Sequence, residues 1–504
     1  MALSTPPWDL VAFPWLGLAV LETLLGEEGP PASRFRAVLA GALRGLLFGA
    51  GTNLVALRFV VPVVTRFTPL PWSAGLAALV ALSLEQGLRF SMASVLTVQL
   101  SRRGVPRWVA FGLSVYWSTF LPCVFPWTVA TGAVAHPELV QLAEFVGERG
   151  VALLMALTAG LAADGARLLV VAGRRGRALA MLGAAGAIPA LTFAEGALAI
   201  RRVEADRARA PSARVALVQP SIEATERWDP KEAEAILGRL TELTRAAESA
   251  EPPPDLTVWT EGAYPYLLDA RSRRDLPGPR AILQPGVRGP VLVGLMMRGP
   301  AGGYNAAAVA TRGRIGEPYF KRHLLIFGEY VPLGDTFPWL NEVFYRGTGL
   351  VPGRGQVLLE AGPVRAVALN CYEDTLSQAV REAMALDPNL LVNITNDAWY
   401  TGSTESELHL RLATSRAIEA RRDLVRAVNY GETTWVDSAG RVRARYGSAE
   451  PGFLLAEPAL LSERTLYARV GDAPLVAATL LAAAVLLARG RPGGASGARA
   501  AGRP

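Results

Sequence analysis

Long apolar segments in the first part of this 504-residue chain constrain its fold more than any other feature. The chain is 51% hydrophobic and only 19% charged, with a mean hydropathy of +0.26, whereas soluble domains carry about 25% charged residues. Six apolar runs lie near 10–25, 37–56, 73–100, 105–127, 146–171 and 178–198. Several reach the roughly 20 residues that a bilayer crossing requires, and six in series are hard to bury in a soluble bundle. We therefore predict a multi-span membrane domain over residues 1–200. The first run has no basic segment before it, so we expect no cleaved signal sequence.

The composition changes after the membrane domain. Residues 201–213 are rich in charge and are predicted to be a linker. Residues 214–465 alternate short β-rich runs with helical stretches, which is typical of a layered α/β domain. The β-rich runs are 215–219, 256–260, 291–295, 306–310, 364–370 and 390–395, and the clearest helical stretches are 231–248 and 405–422. Residues 466–489 are predicted to be a C-terminal transmembrane helix, and the Gly-, Ala- and Arg-rich tail at 490–504 is predicted to be disordered.

The placement of arginine predicts an orientation in the membrane, because basic residues collect at the cytoplasmic ends of spanning segments. Three groups of arginines flank predicted span ends: Arg102, Arg103 and Arg107; Arg174, Arg175 and Arg177; and Arg489, Arg491, Arg499 and Arg503. If these ends are cytoplasmic, the domain at 214–465 lies on the opposite face. Four arginines of the linker then lie on the same side of the membrane as this domain, where they could pair with lipid phosphates. They are Arg201, Arg202, Arg207 and Arg209.

Lysine and cysteine are so rare that each one is informative. Of the 51 basic residues, all but Lys231 and Lys321 are Arg, and the two Cys are Cys123 and Cys371. Two Cys cannot build a disulfide scaffold or a Cys-based zinc site. The sequence also has no recognised metal cluster or phosphate-binding loop, and its basic residues show no nucleic-acid pattern. We therefore predict no metal, no cofactor and no nucleic-acid partner.

Three residues at the ends of predicted strands form a candidate catalytic set. Cys371 is the only thiol of the α/β domain, and outside the cytoplasm an unused thiol is a liability, although a buried inert Cys is an equal alternative. Lys321 lies beside an Arg in a chain that otherwise uses Arg for positive charge, so its compact ammonium points to a specific task. Glu261 follows an apolar run, where a half-buried carboxylate can act as a general base. An ordinary surface Glu is the alternative.

Together these residues predict a mechanism. Glu261 would take the thiol proton of Cys371, and the thiolate would attack an acyl carbonyl. Lys321 would stabilise the oxyanion that forms. No His is required, which fits a chain with only three.

The sequence around these residues resembles the apolipoprotein N-acyltransferase family, the membrane-bound branch of the nitrilase superfamily. The order Glu, Lys, Cys and the membrane–domain–membrane layout both match. The matching segments are 321–324 (KRHL), 327–332 (FGEYVP), 371–373 (CYE), 396–400 (NDAWY) and 416–419 (RAIE), with Gln219, Trp228, Arg426 and Asn429. The chain departs from the family in having six instead of seven predicted N-terminal spans, and in having Ile326 where the lysine loop often has Pro.

The resemblance implies a four-layer αββα sandwich inserted before the last helix of a multi-span α-helical membrane domain. It implies transfer of a fatty acyl chain from a phospholipid to the N-terminal S-diacylglyceryl cysteine of a lipoprotein, through a thioester on Cys371. It also implies supporting roles for Glu329, Tyr372 and Glu373, and substrate contacts for Trp228, Tyr330, Asn396 and Trp399. The expected partners are the phospholipid donor, the lipoprotein acceptor and the membrane. We expect a monomer in the bacterial inner membrane, with the catalytic domain on the periplasmic face.

Two alternatives remain open. A membrane-tethered amidase of the nitrilase type would use the same three residues, with water as the second nucleophile. A membrane scaffold with a decayed catalytic domain would not need them, and the joint presence of Glu261, Lys321, Glu329, Cys371 and Glu373 argues against it.

Overall fold

The computed structural model describes residues 1–25, 34–171, 173–343, 349–447 and 449–489. The tail predicted to be disordered at 490–504 lies outside the described residues. The α-helices are α1 Phe13–Leu25, α2 Arg34–Ala56, α3 Val60–Phe67, α4 Trp72–Ser101, α5 Arg107–Ser118, α6 Ala143–Leu169, α7 Arg175–Arg209, α8 Ala233–Glu248, α9 Pro338–Val343, α10 Ser377–Ala383, α11 Glu405–Ala420, α12 Leu466–Val470 and α13 Ala473–Arg489. The β-strands are β1 Val215–Gln219, β2 Leu256–Val258, β3 Leu268–Asp269, β4 Val291–Gly299, β5 Gly302–Thr311, β6 Arg314–Ile315, β7 Tyr319–Phe320, β8 Leu358–Ala361, β9 Val364–Asn370, β10 Leu390–Asn396, β11 Leu424–Asn429, β12 Thr433–Val436, β13 Val442–Tyr446 and β14 Gly452–Ala456.

Two β-sheets pack face to face in the α/β domain. One has the strand order β14-β1-β2-β4-β5-β6, with β3 beside β4 and β7 beside β5, and the other has the order β13-β12-β11-β10-β9-β8. Side chains alternate across a strand, so Ala366 and Ala368 of β9 lie between the sheets while Val367 and Leu369 contact the outer helices. Helix α8 covers the outer face of the first sheet, and α10 and α11 cover that of the second. The predicted αββα sandwich is confirmed.

Parallel strands bring the predicted site residues to one edge of each sheet. Strands β1, β2 and β4 run parallel in the first sheet, and β9, β10 and β11 run parallel in the second. Glu261 follows the carboxyl end of β2, Cys371 follows β9 directly, and Asn396 ends β10. Ligand and catalytic groups commonly collect at this edge of α/β sheets.

The membrane domain is a bundle of apolar helices. Four of them, α2, α4, α6 and α7, are long and apolar enough to cross a membrane. The other apolar helices are shorter, with 13 residues in α1, 12 in α5 and 17 in α13. Helix α5 is shorter than the apolar run that predicted it, because Pro122 and Pro126 follow it and proline cannot continue the backbone hydrogen bonding of a helix.

Helix α7 continues to Arg209 through most of the segment that was predicted as a linker. Its arginines bind carboxylates of the protein: Arg207 pairs with Asp423 and Arg202 pairs with Glu144. Arg209 pairs with Asp206 one turn away, at 2.6 Å. All three arginines therefore have a carboxylate partner within the protein.

The helices alternate in direction, so that one end of the bundle meets the α/β domain. Asp9, just before α1, accepts a hydrogen bond from Arg411 of α11 at 2.8 Å. Ala56, the last residue of α2, lines the same cavity as Cys371. Helix α6 starts at this end and, beyond a break at Gly147, continues to Leu169, roughly 33 Å further at 1.5 Å per residue. The arginines that follow α4 and α6 and end α13 therefore lie at the far end of the bundle.

Buried charge pairs dock the α/β domain on α6. Arg416 of α11 contacts Glu148 of α6 at 2.5 Å and Glu419 of its own helix at 3.1 Å. Arg421 contacts Glu144 of α6 at 2.9 Å. Burial raises the pKa of Glu419 to about 7, against the attraction of Arg416. A single guanidinium thus holds two buried carboxylates at the junction of the two domains.

Replacing Arg416 should loosen this junction. The substitution Arg416→Met leaves Glu148 and Glu419 without their cation, and removal of one partner from a buried pair costs about 3–5 kcal/mol. We expect a clear fall in the apparent Tm of the purified protein in detergent. The matched control is Arg273→Met, which breaks the exposed pair of Arg273 with Glu317 and should cost less than about 1 kcal/mol. Equal changes in Tm for both variants would contradict the docking role.

Candidate active site

A buried lysine lies between two carboxylates at the edge of the first sheet. The ammonium of Lys321, which directly follows β7, is 3.2 Å from Oε1 of Glu261 and 2.8 Å from Oε2 of Glu329. The Lys321 side chain is only 1% exposed. Burial by itself lowers the pKa of Lys321, but Glu261 and Glu329 outweigh that effect and hold the pKa well above its usual range. Lys321 is therefore a permanently charged ammonium at neutral pH.

Asn305 completes this cluster from the middle of β5. Its amide nitrogen donates hydrogen bonds to Oε1 of Glu261 at 2.7 Å and to Oε1 of Glu329 at 2.9 Å. Its amide oxygen accepts a hydrogen bond from Asn370, next to Cys371, at 3.3 Å. The backbone N–H of Lys321 donates to the Asn305 carbonyl at 2.8 Å. One asparagine therefore bridges both carboxylates and links the lysine strand to the cysteine strand.

Cys371 occupies a strained turn between β9 and a short 3-10 helix, Cys371–Thr375. Its φ of 52° lies in the left-handed region, which non-glycine residues seldom adopt and which is common at functional sites. This turn lifts the thiol off the end of the strand.

The charges of the lysine cluster act on the Cys371 thiol. Burial raises its pKa well above the usual range, the Glu261 carboxylate raises it further, and the Lys321 ammonium and a hydrogen bond from Thr395 oppose the rise. Burial also raises the pKa of Glu261, with Lys321 opposing and Glu329 adding to the rise. Burial is the largest of these effects, with Glu261 adding to it, so the resting cysteine is a neutral thiol.

Glu373 connects the segment that carries Lys321 to the segment that carries Cys371 through hydrogen bonds. Its Oε1 accepts hydrogen bonds from the Tyr319 hydroxyl at 2.7 Å and from the backbone N–H groups of Arg322 and His323 at 2.9 and 3.0 Å. Its Oε2 accepts from the Asn370 N–H at 2.9 Å. Glu373 is fully buried, and both oxygens are used. The resemblance implied a supporting role for Glu373, and its hydrogen bonds fix the segments that carry Lys321 and Cys371.

A narrow cavity of about 90 Å³ opens at Cys371 between the two domains. Most of its lining side chains are apolar, and many come from the membrane domain: Ala56, Leu57, Phe59, Phe125, Trp127 and Val129. From the α/β domain, Leu325, Tyr400, Leu408 and Leu412 contribute. A thiol at the wall of an apolar cavity that is shared with a membrane bundle is placed to meet a hydrocarbon chain.

Tyr372 separates this apolar cavity from a polar one. It lines both, and its hydroxyl donates to the Val124 carbonyl of the segment after α5 at 3.0 Å. The polar cavity has a volume of about 680 Å³ and includes Tyr330, His323 and Arg322. The apolar and polar cavities therefore meet beside the nucleophile position.

A buried charge network supports the far wall of the apolar cavity. His409 lies 2.8 Å from Asp374 and 3.6 Å from Asp397, and Arg426 contacts Asp374 at 3.1 Å. Burial lowers the pKa of His409, but the carboxylates outweigh it and raise the pKa to about 10. Burial and Asp397 raise the pKa of Glu405 to about 8.

This network balances its own charge. Asp397, Glu405 and His409 each place one potential metal-ligand atom within 4.8 Å of the others. Both ring nitrogens of His409 already face carboxylates, however, and Arg426 supplies a second cation. With Glu405 protonated, two carboxylates face two cations, so the arrangement is neutral without an added ion.

The residues implied for substrate contact have different environments. Trp228 is 51% exposed on a short 3-10 helix, under the guanidinium of Arg227, and Tyr330 is 41% exposed. Asn396 accepts hydrogen bonds from Asn429 at 2.9 Å and from the Ala398 N–H at 3.2 Å, so it shapes its own loop. The Trp399 ring lies 4.6 Å from Phe67 of α3. Its neighbour Tyr400, and not Trp399, lines the cavity at Cys371.

Sequence reasoning missed three contributors to the site. Asn305 lies in β5, one residue before the apolar run at 306–310 that predicted this strand, and has no flanking motif. Its buried amide, in an otherwise alanine-rich run, was the available signal. Tyr400 belongs to the matching segment 396–400, but the sequence assigned it no role of its own. Glu405 carried no signal, because its burial depends on how α11 packs.

Comparison with known proteins decides the family. Residues 1–161 match the model of the apolipoprotein N-acyltransferase N-terminal domain, and residues 214–463 match the carbon-nitrogen hydrolase model. An apolipoprotein N-acyltransferase of Azotobacter vinelandii is 30% identical over 504 residues, covering 95% of this chain and 91% of the relative. The chain belongs to the apolipoprotein N-acyltransferase family. The protein of that name from Geobacter metallireducens is 29% identical, covering 94% of this chain and 90% of its own length.

A solved structure is also similar in part. An amidase from Nesterenkonia sp. superimposes with a TM-score of 0.37 at 20% identity, covering 53% of this chain and 95% of the amidase. Family membership makes the chain an acyltransferase that acts on lipoproteins and is associated with a bacterial membrane. The resemblance drawn from the sequence is thereby confirmed.

The electrostatics of the site predict how the Cys371 thiol reacts. Because its pKa is raised, the thiolate should be scarce at neutral pH, and alkylation by iodoacetamide should speed up as the pH rises from 7 to beyond 9. Lys321→Met removes the ammonium that favours the thiolate, so alkylation should be slower at every pH. We propose to follow the reaction by peptide mass spectrometry in a Cys123→Ser background.

The other lysine is the matched control. Lys231→Met should leave the alkylation profile unchanged, because Lys231 lies in an exposed segment before α8. A rate that is flat between pH 7 and pH 9 would contradict the neutral-thiol description.

Proposed function

We propose that Cys371 carries the acyl group as a thioester while it moves from a phospholipid to the amino group of a lipoprotein. The observation that carries this proposal is the apolar cavity, which places the Cys371 thiol among side chains of the membrane bundle. A hydrocarbon chain has to be removed from the bilayer without exposure to water, and a cavity shared by α2 and the α/β domain offers such a path.

The first half-reaction acylates the cysteine. Glu261 takes the thiol proton as Cys371 attacks the ester carbonyl carbon, and the carbonyl oxygen becomes an oxyanion that Lys321 stabilises. Collapse of this intermediate breaks the ester C–O bond. The proton on Glu261 then passes to the alkoxide oxygen of the departing lysophospholipid. The proton moves from Cys371 to Glu261 while a negative charge appears on the substrate oxygen, so the total charge of the cluster, Cys371 and substrate does not change as the bond forms.

The second half-reaction releases the product. The amino group of the lipoprotein attacks the thioester, Glu261 takes a proton from the amine, and the C–S bond breaks. The Cys371 thiolate then recovers a proton from Glu261. Glu329 and Asn305 act in both halves by fixing Lys321 and Glu261, since each is bonded to the cluster.

Substrate contacts follow from exposure and position. Tyr330 and Trp228 have exposed aromatic rings that are available to a substrate. Tyr372 lies where the apolar and polar cavities meet, so it suits the glycerol region between an acyl chain and a polar head group. Asn396 and Trp399 position the loop that carries Tyr400.

We also propose a multi-pass protein of the bacterial inner membrane with its α/β domain in the periplasm. The arginines that follow α4 and α6, and Arg489 at the end of α13, lie at the end of the bundle that is remote from this domain, which supports a cytoplasmic location for that end. We propose a monomer without a nucleic-acid partner, because residues of one chain supply the whole cluster around Cys371.

An amidase that hydrolyses a small soluble amide would use the same three residues. Water would then need access to the thioester, whereas the cavity at Cys371 is mainly apolar. This arrangement favours transfer to an amine over hydrolysis.

Complementation tests the proposal. A strain depleted of its own lipoprotein N-acyltransferase should be rescued by the wild type but not by Cys371→Ala. Lys321→Arg should lose most of the activity despite its retained charge, because a guanidinium is bulkier and aims its donors differently. Cys123→Ala and Lys231→Arg are the matched controls and should rescue.

Equal rescue by wild type and Cys371→Ala would refute the thioester mechanism. If the wild type failed while its controls were expressed normally, the amidase alternative would gain support.

A further inference from the structure

A second cavity of the α/β domain, about 560 Å³ in volume, is lined by an unusual concentration of arginine. Its charged side chains are Arg322, Arg354, Arg381, Glu382, Arg464 and Arg469. We call it the arginine cavity. It shares Arg322 with the polar cavity beside Tyr372, so it lies next to the proposed catalytic site without being part of it.

Three of these arginines have no carboxylate partner among the described residues. Arg322 pairs with Glu382, and Arg464 pairs with Asp387. For Arg354, Arg381 and Arg469, the described part of the chain provides no ion pair. Like charges that converge on a concave surface repel one another and focus a positive potential. Such an arrangement is stabilised when an anion occupies it.

The arginine cavity lies at the level where the last helix enters the bundle. Arg469 is in the last turn of α12, and a Cβ on Gly471 would lie 3.0 Å from Nε of Arg381. Helix α13 begins two residues later. Asp472 of the same turn pairs with Arg149 of α6 at 2.7 Å, so the starts of both helices lie at one height. In the proposed membrane orientation, this is the level at which lipid head groups would lie.

We propose that Arg354, Arg381 and Arg469 bind the phosphate of an anionic phospholipid head group at the membrane surface. Guanidinium groups match phosphate oxygens with paired, charge-assisted hydrogen bonds, and each arginine near an anionic membrane surface strengthens the attraction. The exposed Arg354 and Arg469 can reach outward to the lipid. The site depends on the membrane location of the protein but not on the acyl-transfer mechanism.

Lipid titration of the full chain tests the site. Protein in a neutral detergent is titrated with phosphatidylglycerol or with phosphatidylcholine, and bound lipid is counted by native mass spectrometry. The wild type should prefer phosphatidylglycerol, and the triple variant Arg354→Gln, Arg381→Gln, Arg469→Gln should bind it at least tenfold more weakly. The matched control is Arg271→Gln, Arg288→Gln, Arg312→Gln, which removes three exposed arginines elsewhere and should bind like the wild type.

The single variant Arg469→Gln guards against misfolding of the triple variant, because this exposed side chain has no ion pair in the described residues; it should weaken phosphatidylglycerol binding severalfold. Inorganic phosphate and an acidic peptide are added as competitors. Equal lipid binding by wild type and triple variant would overturn the site. Displacement of the lipid by millimolar phosphate, or by the peptide, would overturn its assignment to a lipid head group.

Discussion

The ammonium of Lys321, buried between Glu261 and Glu329, is the interaction on which the site depends. A buried charge is costly unless it is paired and hydrogen-bonded, and here two carboxylates and the Asn305 amide meet that requirement. Burial at the same place, together with the Glu261 carboxylate, raises the pKa of Cys371 and keeps it a thiol, while Lys321 opposes that rise. The interactions of Lys321 with Glu261 and Glu329 therefore both stabilise the buried cluster and set the reactivity of the Cys371 thiol.

The junction between the two domains gives this chemistry its lipid setting. Arg416 and Arg421 of the α/β domain bind Glu148 and Glu144 of α6, and Tyr372, next to the nucleophile, reaches the segment after α5. The cavity at Cys371 exists only because the membrane domain supplies more than half of its lining residues, from the N-terminal segment, α2 with the residues after it, and the segment before α6. A soluble αββα sandwich alone would leave that thiol facing water.

The sequence predicted most strands and the three central residues because their signals are local. Strands β1 and β9 begin and end where their apolar runs do, and Lys321 and Cys371 stood out because their residue types are rare. Asn305, the inward-facing Glu373 hydrogen bonds and the burial of Glu405 depend on segments more than 20 residues apart in sequence, such as the pairing of Asn305 with Glu329. Local patterns carry no information about such contacts. The helical conformation of 201–209, where Arg207 pairs with Asp423 of the α/β domain and Arg202 pairs with Glu144 of α6, likewise involves contacts distant in sequence.

The intact mass of the protein after incubation with phospholipid alone, without an acceptor, tests the central claim most directly. The account predicts that wild-type protein gains one acyl group, that hydroxylamine removes it, and that peptide mapping places it on Cys371. Glu261→Gln should gain none in the same time. Release of lysophospholipid without an acyl group on the protein, or an acyl group on a residue other than Cys371, would contradict the account.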